Sequence, residues 1–165
     1  MSRRWVADAS PLILLGKIGR AALLSRLSDE LAIPEAVARE VTQRPEGERV
    51  IGELTNFPGV QIVSQILVAS QIAVWDLGPG ESQVLAHASA VPNSRAVLDD
   101  LEARRCAQSL GLPVIGTLGV VLRARRRGLI EAARPVIDEL RQAGLYASDQ
   151  LIEQALAHLG EEASP

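Results

Sequence analysis

Cysteine occurs once, at Cys106, and that single thiol excludes an internal disulfide and any cysteine-based zinc site. Lysine is as rare: Lys17 stands alone among 17 basic residues, the rest being arginine. P-loop and Schiff-base chemistry are thereby excluded unless Lys17 itself is used. Aromatic residues make up 2% of the chain, so base-stacking platforms of the RRM or OB kind have nothing to be built from. Nucleic acid would have to be gripped by its backbone. No apolar run approaches the ~20 residues of a membrane span, and Arg3 and Arg4 are not followed by an apolar stretch long enough for a signal peptide. A soluble, cytoplasmic protein with no membrane partner is expected. The net charge of -3 argues against a constitutive DNA-coating protein but leaves room for a local basic patch.

What the chain does have is apolar residues, 47% of 165, enough for one domain over residues 1–165 with a proper core. The pattern alternates strand and helix. Trp5 to Asp8 reads as a buried strand ending in its acid, with Ser10 as N-cap and Pro11 at the first position of the next helix. Leu31-Ala32-Ile33 is a second strand, and Pro34 opens a helix to about Gln43 that places Ala36, Val37, Glu40 and Val41 on one face, Glu35 and Arg39 elsewhere. A helix around Glu48 to Leu54 precedes an edge strand, Val60 to Val63. From Ser64 to Leu77 helix and strand fit equally well. Beyond the Gly78-Pro79-Gly80 break, Glu81 to Ala90 reads as helix, with Glu81, Val84, Leu85 and Ala88 sharing a face.

Arg95 to Asp100 reads as a strand finishing in two carboxylates, a helix to about Leu110 follows, and Leu112 to Ile115 is the last strand. After Gly116-Thr117 comes a helix with Leu118, Val121 and Leu122 on one side and Arg123, Arg125, Arg126 and Arg127 on the other. Helices are also expected near 131–142, with Ala133, Val136, Ile137 and Leu140 as its stripe, and near 149–159. Such alternation implies a mainly parallel sheet with helices on both faces. Acids that end strands then share the rim where ligands bind in open α/β sheets.

Asp8, Glu40, Glu81, Asp99 and Asp100 lie at element ends or on apolar faces, where an unpaired charge is costly. Each has an ordinary explanation: a turn acid for Asp8, arginine partners for Glu40 and Glu81, a helix cap for Asp99 or Asp100. Together they change the reading, because carboxylates converging on one rim cannot all stay ionised without a cation. All-oxygen ligands favour Mg²⁺ or Mn²⁺, and such an ion beside a phosphodiester is the basis of metal-assisted hydrolysis.

Five segments in order, Asp8-Ala9-Ser10-Pro11-Leu12, Pro34-Glu35-Ala36-Val37 with Glu40-Val41, Gly80-Glu81-Ser82 with Ala86 and Ala88, Leu98-Asp99-Asp100 with Ala103-Arg104, and Gly116-Thr117-Leu118-Gly119 with Arg123 and Gly128-Leu129-Ile130, resemble the PIN-domain proteins. They are most similar to the branch related to VapC-type toxins, with its DxSPL opening and GTLG segment. The resemblance covers roughly residues 3–130 and leaves a helical extension over about 131–160. It implies a three-layer α/β/α fold with a parallel sheet of about five strands, and a Mg²⁺- or Mn²⁺-dependent endoribonuclease, the toxin of a toxin-antitoxin pair. It implies RNA as substrate and an antitoxin protein as partner, while the helices past Leu129 are expected to serve dimerisation, giving a homodimer, or partner binding. By position Asp8, Glu40 and Glu81 match the first three metal-binding acids, and Asp99 or Asp100 the fourth, with Asp100 preferred. Ser10 matches the hydroxyl that orients the first acid. The sequence departs from that pattern twice: toxins of this branch commonly have Asp where Glu81 stands, and Thr-x-Asp where this strand ends Leu98-Asp99-Asp100.

Thr117 either supports the acids or caps its helix. Arg123, Arg126 and Arg127 read either as a solvated helix face or as contacts to an RNA backbone. His87 and His158 are expected at the surface or on helices away from the acids, Trp5, Trp75 and Cys106 as packing residues. Phosphotransfer on an acidic pocket is disfavoured, because no lysine follows the last strand and Ser10 stands where a second Asp would be needed. A degenerate domain that binds RNA or protein without cleaving is the non-enzymatic alternative.

Overall fold

Trp5, Val6 and Ala7 are all buried, so β1 (Arg4–Ala7) is covered on both faces, as the central strand of a parallel sheet must be. In the computed structural model, which describes residues 2–160, β1 pairs in parallel with β2 (Glu30–Pro34) on one side and β4 (Ser94–Val97) on the other. β3 (Val60–Val63) and β5 (Val114–Ile115) are the edges of a five-stranded sheet ordered β3-β2-β1-β4-β5, every pairing parallel. Met1 and residues 161–165, included in the single domain expected over 1–165, lie outside the described residues.

Right-handed crossovers decide the layers. From β1 the chain moves to β2 through α1 (Ala9–Lys17) and α2 (Ala22–Leu27), then through α3 (Glu35–Thr42) and α4 (Gly47–Thr55) to β3. It returns past β1 through α5 (Ser70–Ala73) and α6 (Pro79–Ala90) to β4, and continues through α7 (Leu101–Ser109) to β5. The two directions of travel put α1 and α2 on one face and α6 and α7 on the other. α8 (Thr117–Arg126) joins α1 and α2, and α9 (Ala133–Ala143) lies against α1 and α8. α10 (Asp149–His158) is tied to α9 by the Arg134–Glu153 ion pair at 2.9 Å. This is a three-layer α/β/α fold. Among the described residues no helix is long and apolar enough to cross a membrane.

Several elements differ from expectation for local reasons. β1 stops at Ala7 and Asp8, in extended conformation, is the N-cap of α1, so Ser10 is inside the first turn. Pro11 therefore stands at the third helical position, where its missing N–H still costs nothing. β4 ends at Val97 rather than at the acids, leaving Leu98 and Asp99 as a link to α7. The ambiguous 64–77 stretch is irregular apart from α5. α8 turns Thr117, Val120, Val121 and Ala124 to the core, not Leu118 and Leu122, which are half-buried. Gly119 lies on that half-buried side with Leu118 and Leu122, where a Cβ would stand 2.7 Å from Ile115 Cγ1. His87 is buried on α6 with Nε2 donating to the Ser64 carbonyl at 2.9 Å, and burial lowers its pKa. Cys106 and Trp5 are core residues.

Candidate active site

β1 leads one way along the sheet and β4 the other, so their carboxyl ends flank the point where strand order reverses, the place a crevice opens in folds of this kind. Asp8 and Asp99 follow those two strands. The Asp8 amide donates to Val97 O at 3.1 Å and the Leu98 amide to Ile115 O at 2.9 Å, which fixes the two chain ends side by side. Between this rim and the α9–α10 connection lies a cleft of about 740 Å³, lined by Asp8, Glu81, Asp99, Asp100 and Arg104 among others. A separate cavity of about 350 Å³ near Lys17 and Arg44 has Glu46 as its single acid, and that carboxylate is paired with Arg49 at 2.8 Å.

Asp8 is 4% exposed. Burial pushes its pKa to about 7, opposed by a hydrogen bond from the Ala9 amide and reinforced by the charges of Glu81, Glu40 and Asp99. Gly80 shows how close two of these acids come. A Cβ on this buried residue would lie 3.3 Å from Glu40 Oε2 and 3.4 Å from Asp8 Oδ1, so the start of α6 packs directly against both carboxylates. Glu40 was expected to point into the apolar side of α3; it is instead exposed at the rim, because Val37, Ala38 and Val41 take the buried face. Glu81 is half-buried, and burial together with the Asp100 charge raises its pKa. Its carboxylate also accepts the Gly78 amide, the back-reach of a third-position glutamate to its N-cap.

Asp99 is held differently. Its Oδ1 accepts the Thr117 amide at 2.7 Å, and its Oδ2 accepts the hydroxyls of Thr117 at 2.6 Å and Ser10 at 3.2 Å. The start of α8 adds the favourable end of a helix dipole. Ser10 thus orients Asp99, not Asp8, and Thr117 supports an acid while Gly116 is the N-cap. Asp100 is exposed and caps α7, accepting the Ala103 amide at 2.9 Å.

Arg104, which the sequence pattern does not mark as a site residue, also lines the cleft. One turn beyond Asp100 on α7, its Nη1 would lie 2.8 Å from a Cβ on Gly116, and Asp99 Oδ1 3.0 Å from the same point. Helical spacing from the capping acid was the available signal. The α8 arginines are not gathered into this cleft. α8 runs away from Thr117 for about 14 Å, at 1.5 Å per residue; Arg123 lies over the Trp5 ring at 5.9 Å, and Arg126 and Arg127 are exposed at the far end.

Among the described residues, no three acid, imidazole or thiol side chains close tightly enough to enclose a metal ion. The donor chemistry nevertheless fits a hard divalent cation: the groups nearest one another are carboxylate oxygens, and Asp8 has more acids than hydrogen-bond donors around it. A family model described as DUF3368, a PIN domain, matches residues 4–161, taking in α9 and α10 as well as the sheet. No curated protein matches the chain.

Proposed function

Because the chain belongs to the PIN-domain family, whose members are in general nucleases, we propose that it is a Mg²⁺- or Mn²⁺-dependent endoribonuclease hydrolysing RNA phosphodiester bonds. The observation that carries the reading is the gathering of Asp8, Glu81 and Asp99 in one cleft at the strand-order reversal, with Glu40 against Asp8 across Gly80 and Arg104 beside Asp99. Asp8, Glu40, Glu81 and Asp99 would hold the cation. When bound, it supplies Lewis-acid polarisation of a phosphodiester and makes water more acidic.

The chain's own residues do the rest. The crowded carboxylates around Asp8 favour a cation, since a positive charge relieves both their repulsion and the burial of Asp8. Thr117 and Ser10 keep the Asp99 carboxylate in one orientation, and Arg104 offers a planar cation to the phosphate. Arg126 and Arg127, exposed beyond the cleft, would touch the backbone of a longer strand, whereas Arg123 packs on Trp5. The role of toxin with an antitoxin partner rests on the similarity of the DxSPL and GTLG segments to VapC-type proteins, and the homodimeric state on the helices past Leu129.

A non-cleaving RNA- or protein-binding module is favoured by one fact: Asp100 caps a helix and Glu81 also bonds its own N-cap, so two of the five acids have structural work. Incubating the purified chain with a mixed RNA pool in Mn²⁺ or in chelator separates the readings. Cutting in Mn²⁺ alone is expected; intact RNA in both, with binding retained, would establish the module instead.

A further inference from the structure

The wall of the cleft facing the acids is made by the connection between α9 and α10, and at its mouth stands the one tyrosine of the chain. The backbone on either side is pinned. Lys17 Nζ donates to Ala143 O at 3.1 Å, Gly144 ends α9 in the left-handed conformation, and Arg141 holds Asp149 at 2.8 Å and reaches Ala147 O at 3.4 Å. Ser148 then caps α10 by accepting the Leu151 amide. Yet the Tyr146 side chain is 96% exposed, and Leu151 beside it in the cleft is half exposed. Neither Trp5, which is buried, nor Trp75 is among the residues that line this cleft.

We propose that Tyr146 is a positioning residue that stacks on the nucleobase next to the phosphate that Arg104 would contact, and that it thereby selects an unpaired RNA strand. The inference rests on the nuclease reading above and extends it. A base inside a duplex has both faces covered, whereas an unpaired base offers a face to an aromatic ring. Arg104 and Tyr146 line the same cleft, one suited to phosphate and the other to the adjoining base. Fixing the loop in advance removes the ordering cost that a mobile loop would bring to binding.

The test uses the full chain with Mn²⁺ and a single-stranded oligoribonucleotide, comparing wild type with Tyr146→Ala and Tyr146→Phe. Tyr146→Ala is expected to raise KM between about 5-fold and 150-fold with kcat little changed, the range for loss of one stacked base, and Tyr146→Phe to behave as wild type. Replacing the nucleotide beside the cut by an abasic one should weaken wild type equally and leave Tyr146→Ala no worse. Unchanged KM in Tyr146→Ala, or abasic and alanine losses that simply multiply, overturns the proposal. If wild type cuts nothing, anisotropy of the labelled oligonucleotide decides: binding weakened by Tyr146→Ala and restored by Tyr146→Phe keeps the stacking role while the nuclease reading falls. Binding that is absent, or indifferent to residue 146, overturns both. A Tyr146→Ala chain with normal RNA kinetics but weakened grip on a protein partner assigns the ring to that partner.

Discussion

Asp8 and Asp99 follow neighbouring strands of one sheet, yet their surroundings are opposites. Asp99 accepts from an amide and two hydroxyls and sits at a helix start; Asp8 accepts from one amide and faces Glu40, Glu81 and Asp99. A carboxylate surrounded by donors is satisfied by the protein, and it fixes the pieces that donate. A buried carboxylate surrounded by acids is satisfied only by a proton or a cation. The Asp99 side therefore sets geometry, with only its remaining lone pairs for a cation, and the Asp8 side is the one whose charge is left to a ligand.

The largest effect should come from removing the open side. If Asp8 and Glu40 act as one unit, Asp8→Asn and Glu40→Gln should each reduce RNA cleavage by at least ~10³-fold, and the double variant should be hardly worse. Glu35→Gln, an exposed change on the same helix as Glu40, is the control and should cleave normally. Cleavage rates on one RNA substrate give the answer. Full activity with both carboxylates neutralised would erase the contrast.

Next in size is the stability of the metal-free chain. The folded pKa of Asp8, about 7, lies above its ordinary value of 3.8, so its contribution is fully present below the latter and lost as pH rises through the former. In chelator, stability should fall by roughly 2–3 kcal/mol between pH 5 and pH 8, at about 1.4 kcal/mol for each unit of pKa. Asp8→Asn should flatten that fall and be the more stable chain at pH 8, and Mn²⁺ should raise the melting temperature of wild type alone. Denaturant melts across the range measure this, and a flat wild-type profile would contradict it.

The sequence pattern was informative where a period fixes direction and silent where none does. The buried strands β1 and β4, though not their ends, the helix over Glu81 to Ala90, which in fact begins at Pro79, and the α9 stripe of Ala133, Val136, Ile137 and Leu140 were legible, because apolar spacing tells which face is inside. Period says nothing about a side chain one residue past a strand. Asp99 and Asp100 are neighbours in such a link, and only the position of α8, set by close packing at Gly119, turns the donors of Thr117 toward Asp99. Glu40 misled for a related reason: it borders the apolar face of α3 but stands at its edge. Tyr146, in a connection without periodicity, carried no signal at all.

Thr117→Val probes the closed side at moderate cost. The substitution keeps shape and the backbone amide but leaves Asp99 Oδ2 with Ser10 alone, at 3.2 Å. A hydrogen bond to a charged group is worth about 1.5–3 kcal/mol, so thermal stability should drop by roughly that amount. Ser10→Ala, which removes the longer bond, should cost less. Equal losses would mean that the two hydroxyls hold Asp99 to the same degree.

The smallest expected effect decides between the two adjacent acids. Asp100 reaches the Ala103 amide as N-cap of α7, and asparagine caps a helix about as well as aspartate. Asp100→Asn should therefore leave stability within a few tenths of a kcal/mol and cleavage nearly intact, while Asp100→Ala loses about 1 kcal/mol with the cap. Asp99→Asn should behave otherwise, since the neutral amide loses the charge-assisted bonds from the Thr117 amide and from two hydroxyls, which would have to turn round to accept from Nδ2. It should lose both stability and cleavage. Melting curves and cleavage rates for the three variants form the measurement. If Asp100→Asn folds as wild type and yet no longer cuts, the capping carboxylate is the one that meets the cation, and the division between an open Asp8 side and a closed Asp99 side must be redrawn to put Asp100 with Asp8.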